Sequence, residues 1–206
     1  MFSWRGNSFA TLRKIKERVA TYPELSNYVS YLDLLERGLR KEALKHLEDL
    51  LSILGSLPVE KKRSFASLLC RETNVESSHR LIPEPLHRRF ISPVIQEWKR
   101  AEPQNPEPFR WTSDLSDLVH AVELDKSCDQ TRRRLILRIL GYVGVSTHEL
   151  PAGYLGIIEN DYDLLRIAKR ETELLKDEVL RTAYLRMIEE EKTEIDEYKR
   201  KQDASE

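Results

Sequence analysis

Residue types able to do chemistry are sparse in this chain. Five histidines (His46, His79, His87, His120, His148) and two cysteines (Cys70, Cys128) occur in 206 residues. A zinc-protease helix needs two histidines four positions apart around a glutamate, so that both rings reach one metal. His148-Glu149 opens such a run, but Leu150-Pro151-Ala152 follows. The second histidine is missing and Pro151 breaks the helix the motif requires. His79 and His87 lie eight positions apart in a proline-containing segment, with no cysteine or carboxylate set at ligand spacing. No metal site is expected. Nucleotide chemistry fares no better: neither GxxxxGK[ST] nor GxGxxG is present, and Gly153-Tyr-Leu-Gly156 reads as a turn after a proline. No GxSxG elbow marks a serine nucleophile. A cysteine nucleophile would need a base that the sequence does not place beside it. We therefore expect no catalytic residues and no cofactor, and the reading leans away from an enzyme.

What remains are contact surfaces. Segment 145–158, VSTHELPAGYLGII, joins two helical stretches and carries His148, Glu149, Tyr154 and Leu155 on a connection stiffened by Pro151. Loops held on a rigid helical scaffold often carry contact residues. The competing reading is that Leu150, Tyr154 and Leu155 plug the core. Segment 102–111, EPQNPEPFRW, adds Arg110 and Trp111 as candidate binding residues beside Phe109. If a ligand pocket existed at this proline-rich elbow, His87, Arg110, His148, Glu149 and Tyr154 would be its polar members. Arg132-Arg133-Arg134 with Arg138 could meet phosphate, yet reads better as a solvated face paired to nearby carboxylates. Lys61-Lys62-Arg63 and Arg88-Arg89 read the same way, and Glu189-Glu190-Glu191 reads as an exposed helix face.

Composition agrees with a scaffold. Hydrophobic residues make up 40% and charged residues 33% of the chain, which excludes collagen-like, disulfide-dense and compositionally disordered classes. No run approaches the roughly 20 apolar residues of a membrane span. The N-terminus, MFSWRGNSFATLRKIKERV, has no continuous apolar core of a secretory signal. Two cysteines 58 positions apart imply buried thiols and a reducing, cytoplasmic setting. The net charge is −1, with an excess of Lys+Arg before residue 112 and of Asp+Glu after it. That balance argues against a nucleic-acid partner.

Helical periodicity runs almost throughout. Phe9, Leu12, Ile15 and Val19 form one stripe behind a possible cap at Asn7 or Ser8. Leu25, Tyr28, Val29, Leu32, Leu35 and Leu39 form a second, with Asp33–Arg37 and Glu36–Arg40 as i,i+4 pairs. Gly38 marks a break. Ala43 to Leu54 and Val59 to Leu69 supply two more stripes. Six of the nine prolines fall between Pro83 and Pro108, so no long helix is expected there, only a short one with Ser92 as its cap and Pro93 in its first turn. Beyond it, Ser113 or Asp114, Asp129, Asn160 or Asp161, and Asp177 mark four further helix starts, and Gly144 a helix end.

Two short stretches resemble tetratricopeptide repeats. Gly38-Leu-Arg-Lys-Glu-Ala43-Leu-Lys-His-Leu47 is similar to the second half of such a repeat, and Leu118-Val-His-Ala121-Val-Glu-Leu-Asp125 to its closing helix. Lys126 stands where the repeat has proline, and the first-helix tryptophan and Leu-Gly pair are missing. The blocks NPEPFRW, HAVELD and HELPAGYLG also resemble stretches of uncharacterised bacterial proteins, a likeness that carries no activity. What the repeat resemblance implies is stacked helical hairpins and protein binding.

The expected protein is all-α: antiparallel helical hairpins, about eight or nine helices, as an α-bundle or short α-solenoid. Its N-terminal half is expected over residues 1–80, an elbow over 81–111 and a C-terminal half over 112–206, with one continuous domain as the alternative. The expected function is a protein–protein interaction module, an adaptor or a toxin-neutralising immunity-type protein; the alternative is a small-ligand or enzymatic pocket at the elbow. Another protein is the expected partner, with no membrane.

Overall fold

A computed structural model describes residues 13, 15–20, 22–72 and 82–204. The chain is all-α, and no strand occurs among the described residues. Eight helices of seven residues or more occur among the described residues. The chain divides into two compact units, Met1–Pro103 and Gln104–Glu206. The boundary falls inside the proline-rich elbow.

In the first unit, Pro23–Leu25 forms a 3-10 turn leading into α1 (Ser26–Glu36), followed by α2 (Arg40–Ser56) and α3 (Val59–Glu72). Gly38, between α1 and α2, has φ +77°, a left-handed conformation that glycine adopts without steric cost. The turn there folds α2 back onto α1. Leu32, Leu47, Leu50, Leu54 and Leu69 are fully buried. Tyr31, Tyr28, Phe65 and Phe90 form a chain of ring contacts through this core, with centroids 5.5–5.8 Å apart. Ile15 and Val19 are buried as their spacing predicts, whereas the predicted cap at Asn7 or Ser8, with Phe9 and Leu12, lies outside the described residues. Asp33 and Glu36 do not depend on their i,i+4 arginines: Lys16 pairs with Asp33, and Arg13 Nε lies 3.2 Å from Glu36 Oε1. Val59 and Leu44, expected inside, are exposed.

The expectation for Ser92 needs correcting. Helical backbone runs unbroken through Glu84–Leu86, a π turn at His87–Ile91, and α4 (Ser92–Ala101). Ser92 is therefore no cap: the residue before it is already helical, and its own amide donates five residues back to His87 O. Pro93 has no N–H, and its ring crowds the carbonyl four residues earlier. The wider π turn immediately before it lets the helix pass through the proline instead of starting there. At the other end, Arg63 lies 5.4 Å over the Trp98 ring and pairs with Glu102, and Trp98 Nε1 donates to Glu102 Oε2 at 3.0 Å.

In the second unit, α5 (Pro106–Arg110) is a single turn capped by Asn105, and α6 (Leu115–Leu124) is capped by Asp114, which accepts from the Ser116 and Asp117 amides. Then come α7 (Asp129–Thr147), α8 (Ile158–Glu173) and α9 (Glu178–Asp203). Asp177 caps α9 as its sequence position predicts. The other two starts differ. Cys128 is the cap residue of α7, and Asp129 instead accepts from the Lys176 amide at 3.2 Å. Helix α8 begins at Ile158, before Asn160, and Asp161 sits buried in its first turn. Helix α7 also runs three residues past Gly144. Leu118, Leu135, Ile136, Ile139, Val143, Leu165, Ile188 and Ile195 are the centre of a continuous core between α6, α7, α8 and α9. Leu174 and Met187 are apolar residues of this unit that stay exposed.

No helix among the described residues is long and apolar enough to cross a membrane.

Candidate functional site

The six candidate residues fall into two places. Arg110 and Trp111 end α5. Arg110 donates from Nη1 to Glu107 Oε2 at 3.0 Å and also pairs with Asp125. The Ser127 hydroxyl and amide, together with the Arg110 guanidinium, hold the Asp125 carboxyl below its usual range. Trp111 Nε1 donates to Glu107 Oε1 at 3.1 Å, and Arg134 on α7 lies 5.4 Å over its ring. Both candidates therefore fasten α5 to its neighbours.

The other four lie where the connection after α7 closes against α8 and α9. Arg134 and His148 are 14 positions apart, about 21 Å along α7 at 1.5 Å per residue. The two groups do not converge, and His87 belongs to the first unit. His148 Nδ1 stands 2.9 Å from Glu149 Oε1, with both side chains exposed. Tyr154 is half-buried: its hydroxyl donates to Asp161 Oδ2 at 2.6 Å, and its ring stacks on Tyr198 with centroids 5.8 Å apart. Leu155, by contrast, is 62% exposed. Of the expected core plug, Tyr154 goes partly in and Leu155 stays out.

Sequence reading missed the polar residues that hold this loop. Leu155 N–H donates to Ser146 O at 3.0 Å. The chain at Gly156 then passes so close to Ser146 and the buried Asp161 that a side chain has no room. Thr147 Oγ1 donates to Glu191 Oε2 at 3.0 Å, and Tyr162 donates to Asp196. Burial, with Asp161 and Tyr162 nearby, pushes the Tyr154 hydroxyl well above its ordinary range; burial and Asp196 push Tyr162 up to about 12. A cleft of about 390 Å³ opens between the loop and α9, lined by His148, Leu150, Pro151, Glu194, Glu197 and Tyr198. Among the described residues, no group of three or more His, Cys, Asp or Glu could hold a metal ion.

Glu191 gives a pH prediction. Burial raises its carboxyl above the ordinary 4.5; the Thr147 hydroxyl opposes the shift, and Glu194, Asp161 and Glu190 add to it. The folded protein thus holds this proton more tightly than the unfolded chain does. Folding stability falls as pH rises from the unfolded glutamate range through the higher folded value. Glu191→Gln mimics the protonated acid and keeps an oxygen for Thr147. Its urea midpoint should match wild type near about pH 4 and exceed it near about pH 7. An equal midpoint at neutral pH would contradict the assignment.

The arginine cluster also differs from its expected solvated face. Arg132 is buried and donates from Nε to Glu171 Oε2 at 3.1 Å. Arg134 Nη2 donates to Thr112 O at 3.3 Å, and Arg138 Nε to Ser113 O at 2.8 Å.

Apolar residues on the outside of α7 form the other unusual surface. Val145 is 64% exposed, and Tyr142 and Leu137 are exposed on the same helix. Leu155 and, at 60% exposed, Ile157 emerge beside its last turn.

No protein-family model matches the chain, and neither curated proteins nor solved structures give a match. The class is therefore described by the fold alone: an all-α helical bundle protein.

Proposed function

We propose that this chain is a protein–protein interaction module, an adaptor or a toxin-neutralising protein of the immunity type, which contacts its partner through the outer face of α7 and the adjoining loop. One observation carries the reading: Leu137, Tyr142, Val145, Leu155 and Ile157 are large apolar side chains left in water on one helix and the strip of chain beside it. Isolated exposed apolar residues are ordinary, but grouped ones mark contact surfaces. Covering them returns about 25 cal/mol for each Å² removed from water. The loop is held from beneath by Tyr154–Asp161 and the Leu155–Ser146 backbone bond, so the surface is largely formed before a partner arrives.

The test compares full-length wild type with Val145→Asp/Leu155→Asp in pull-downs from native lysate, both checked by circular dichroism. Stoichiometric recovery of one protein by wild type and its loss with the folded variant is the expected outcome. Repeated recovery of nothing by wild type counts against protein binding; equal recovery by both proteins moves the contact elsewhere.

A further inference from the structure

We infer that the outer face of α7 receives an acidic amphipathic helix of a partner protein. The inference rests on the protein-binding reading above and adds the chemistry of the partner segment.

Side chains four apart on a helix share a face. Arg133, Leu137, Gly141 and Val145 make one such row, all exposed; Arg138 and Tyr142 make a second beside it. The first row is basic at its start and apolar at its end. Gly141 interrupts it with a flat spot: a Cβ built there meets nothing within 4 Å. Glycine in a helix interior costs roughly 0.5–1 kcal/mol relative to alanine. Here no neighbour among the described residues requires it. A second helix does gain from it, because interaxial distances of packed helices run from about 8 to 10 Å and small side chains at the contact permit the closer end.

The charges specify the sign of the partner. Arg110, Arg132, Arg166, Arg170, Arg181 and Arg186 of the same unit each lie beside a carboxylate. Arg133 and Arg138 form no such pair among the described residues; neither does Arg200 near the end of α9, which lies away from this face. Arg138 uses one of its five donors on Ser113 O and lies 5.8 Å over the Tyr142 ring, so its charge stands in the row beside the apolar one. Two unpaired cations flanking apolar residues and a glycine gap complement a helix with Leu-type residues at i, i+3 and i+7 and carboxylates at the edge. A nucleic acid would find apolar side chains between the cations, and Arg132, which the sequence groups with them, is buried on Glu171.

The test selects ligands without prejudging their charge. A display library of helical peptides of about 18 residues, five turns, with every surface position randomised, is panned against the full chain. Enriched peptides should carry an apolar stripe at helical spacing and a net negative charge. One enriched peptide is then titrated against variants. Arg133→Glu/Arg138→Glu should weaken it about tenfold or more. Gly141→Glu should weaken it and Gly141→Lys should not, although both add a side chain into the same open space; a merely structural effect would move both alike. Enrichment of apolar stripes with no charge bias overturns the acidic partner and leaves the surface standing. Absence of enrichment, or enrichment insensitive to Val145→Asp, overturns both. Binding of a single-stranded RNA oligonucleotide at low salt, lost in Arg133→Glu/Arg138→Glu, assigns the face to nucleic acid and overturns the inference.

Discussion

Truncating Glu171 to alanine is expected to destabilise the second unit by about 3–5 kcal/mol. The Arg132 and Glu171 side chains are only 7% and 5% exposed, and their Nε–Oε2 distance is 3.1 Å. Arg170 Nη2 also reaches Glu171 Oε1, at 2.9 Å, and Asp129 Oδ1 lies 3.7 Å from Arg132 Nη1. Removing the carboxylate leaves the Arg132 guanidinium buried with only that distant partner, and the desolvation cost of a charge is then uncompensated. The expected loss is a large share of the roughly 5–15 kcal/mol that holds a typical domain. The pair itself contributes little beyond what apolar groups of its volume would. Arg132→Met/Glu171→Leu should therefore recover most of the loss. Urea unfolding followed by Trp111 fluorescence, in a Trp4→Phe/Trp98→Phe background, reports on the second unit alone. A cost for Glu171→Ala no larger than that of Glu189→Ala, an exposed glutamate on α9, would show that the pair is not buried in solution.

Gly156→Ala should be the most disruptive single methyl in the loop. The added Cβ would stand 2.6 Å from Asp161 Oδ2 and 2.8 Å from Ser146 Cβ, with Ser146 Oγ nearer still. The Ser146 hydroxyl can rotate, but Ser146 is buried with its Cβ fixed on α7, and Asp161 is buried and holds the Tyr154 hydroxyl. Overpacking of this kind costs about 1–3 kcal/mol. Here the strain can be relieved by lifting the loop, which parts Tyr154 from Asp161 and Tyr198. Amide exchange at Leu155 should accelerate, since its bond to Ser146 O is the one released. Gly153→Ala is the control, because a Cβ there meets nothing within 4 Å. Equal exchange at Leu155 in the two variants would refute the close approach at Gly156.

Several features follow from local chemistry and were readable in order along the chain. Leucine-type residues at steps of three and four bury one face of a helix wherever the partner element lies, which is why Leu32, Leu47, Leu50, Leu135, Ile139 and Leu165 are inside as their spacing predicts. Asp114 and Asp177 cap helices because a carboxylate two or three residues ahead of free amides needs no distant partner. Gly38 breaks the chain for a reason contained in one residue. The loop at 145–158 was likewise visible as a proline- and glycine-bearing interruption. What that loop touches was not, because Tyr154 finds Tyr198 and Thr147 finds Glu191 only 44 positions later.

The amino-acid order alone thus determined the helices, some of their ends and most of the residues that face inward, since each depends on neighbours within about one turn. Tertiary structure decided the charges and the surface. Arg132, Arg133 and Arg134 are identical in sequence terms, yet one is buried on Glu171, one is exposed, and one lies over Trp111. Their fates differ because a helix turns about 100° per residue, sending adjacent side chains toward different elements, and the positions of those elements are not encoded nearby.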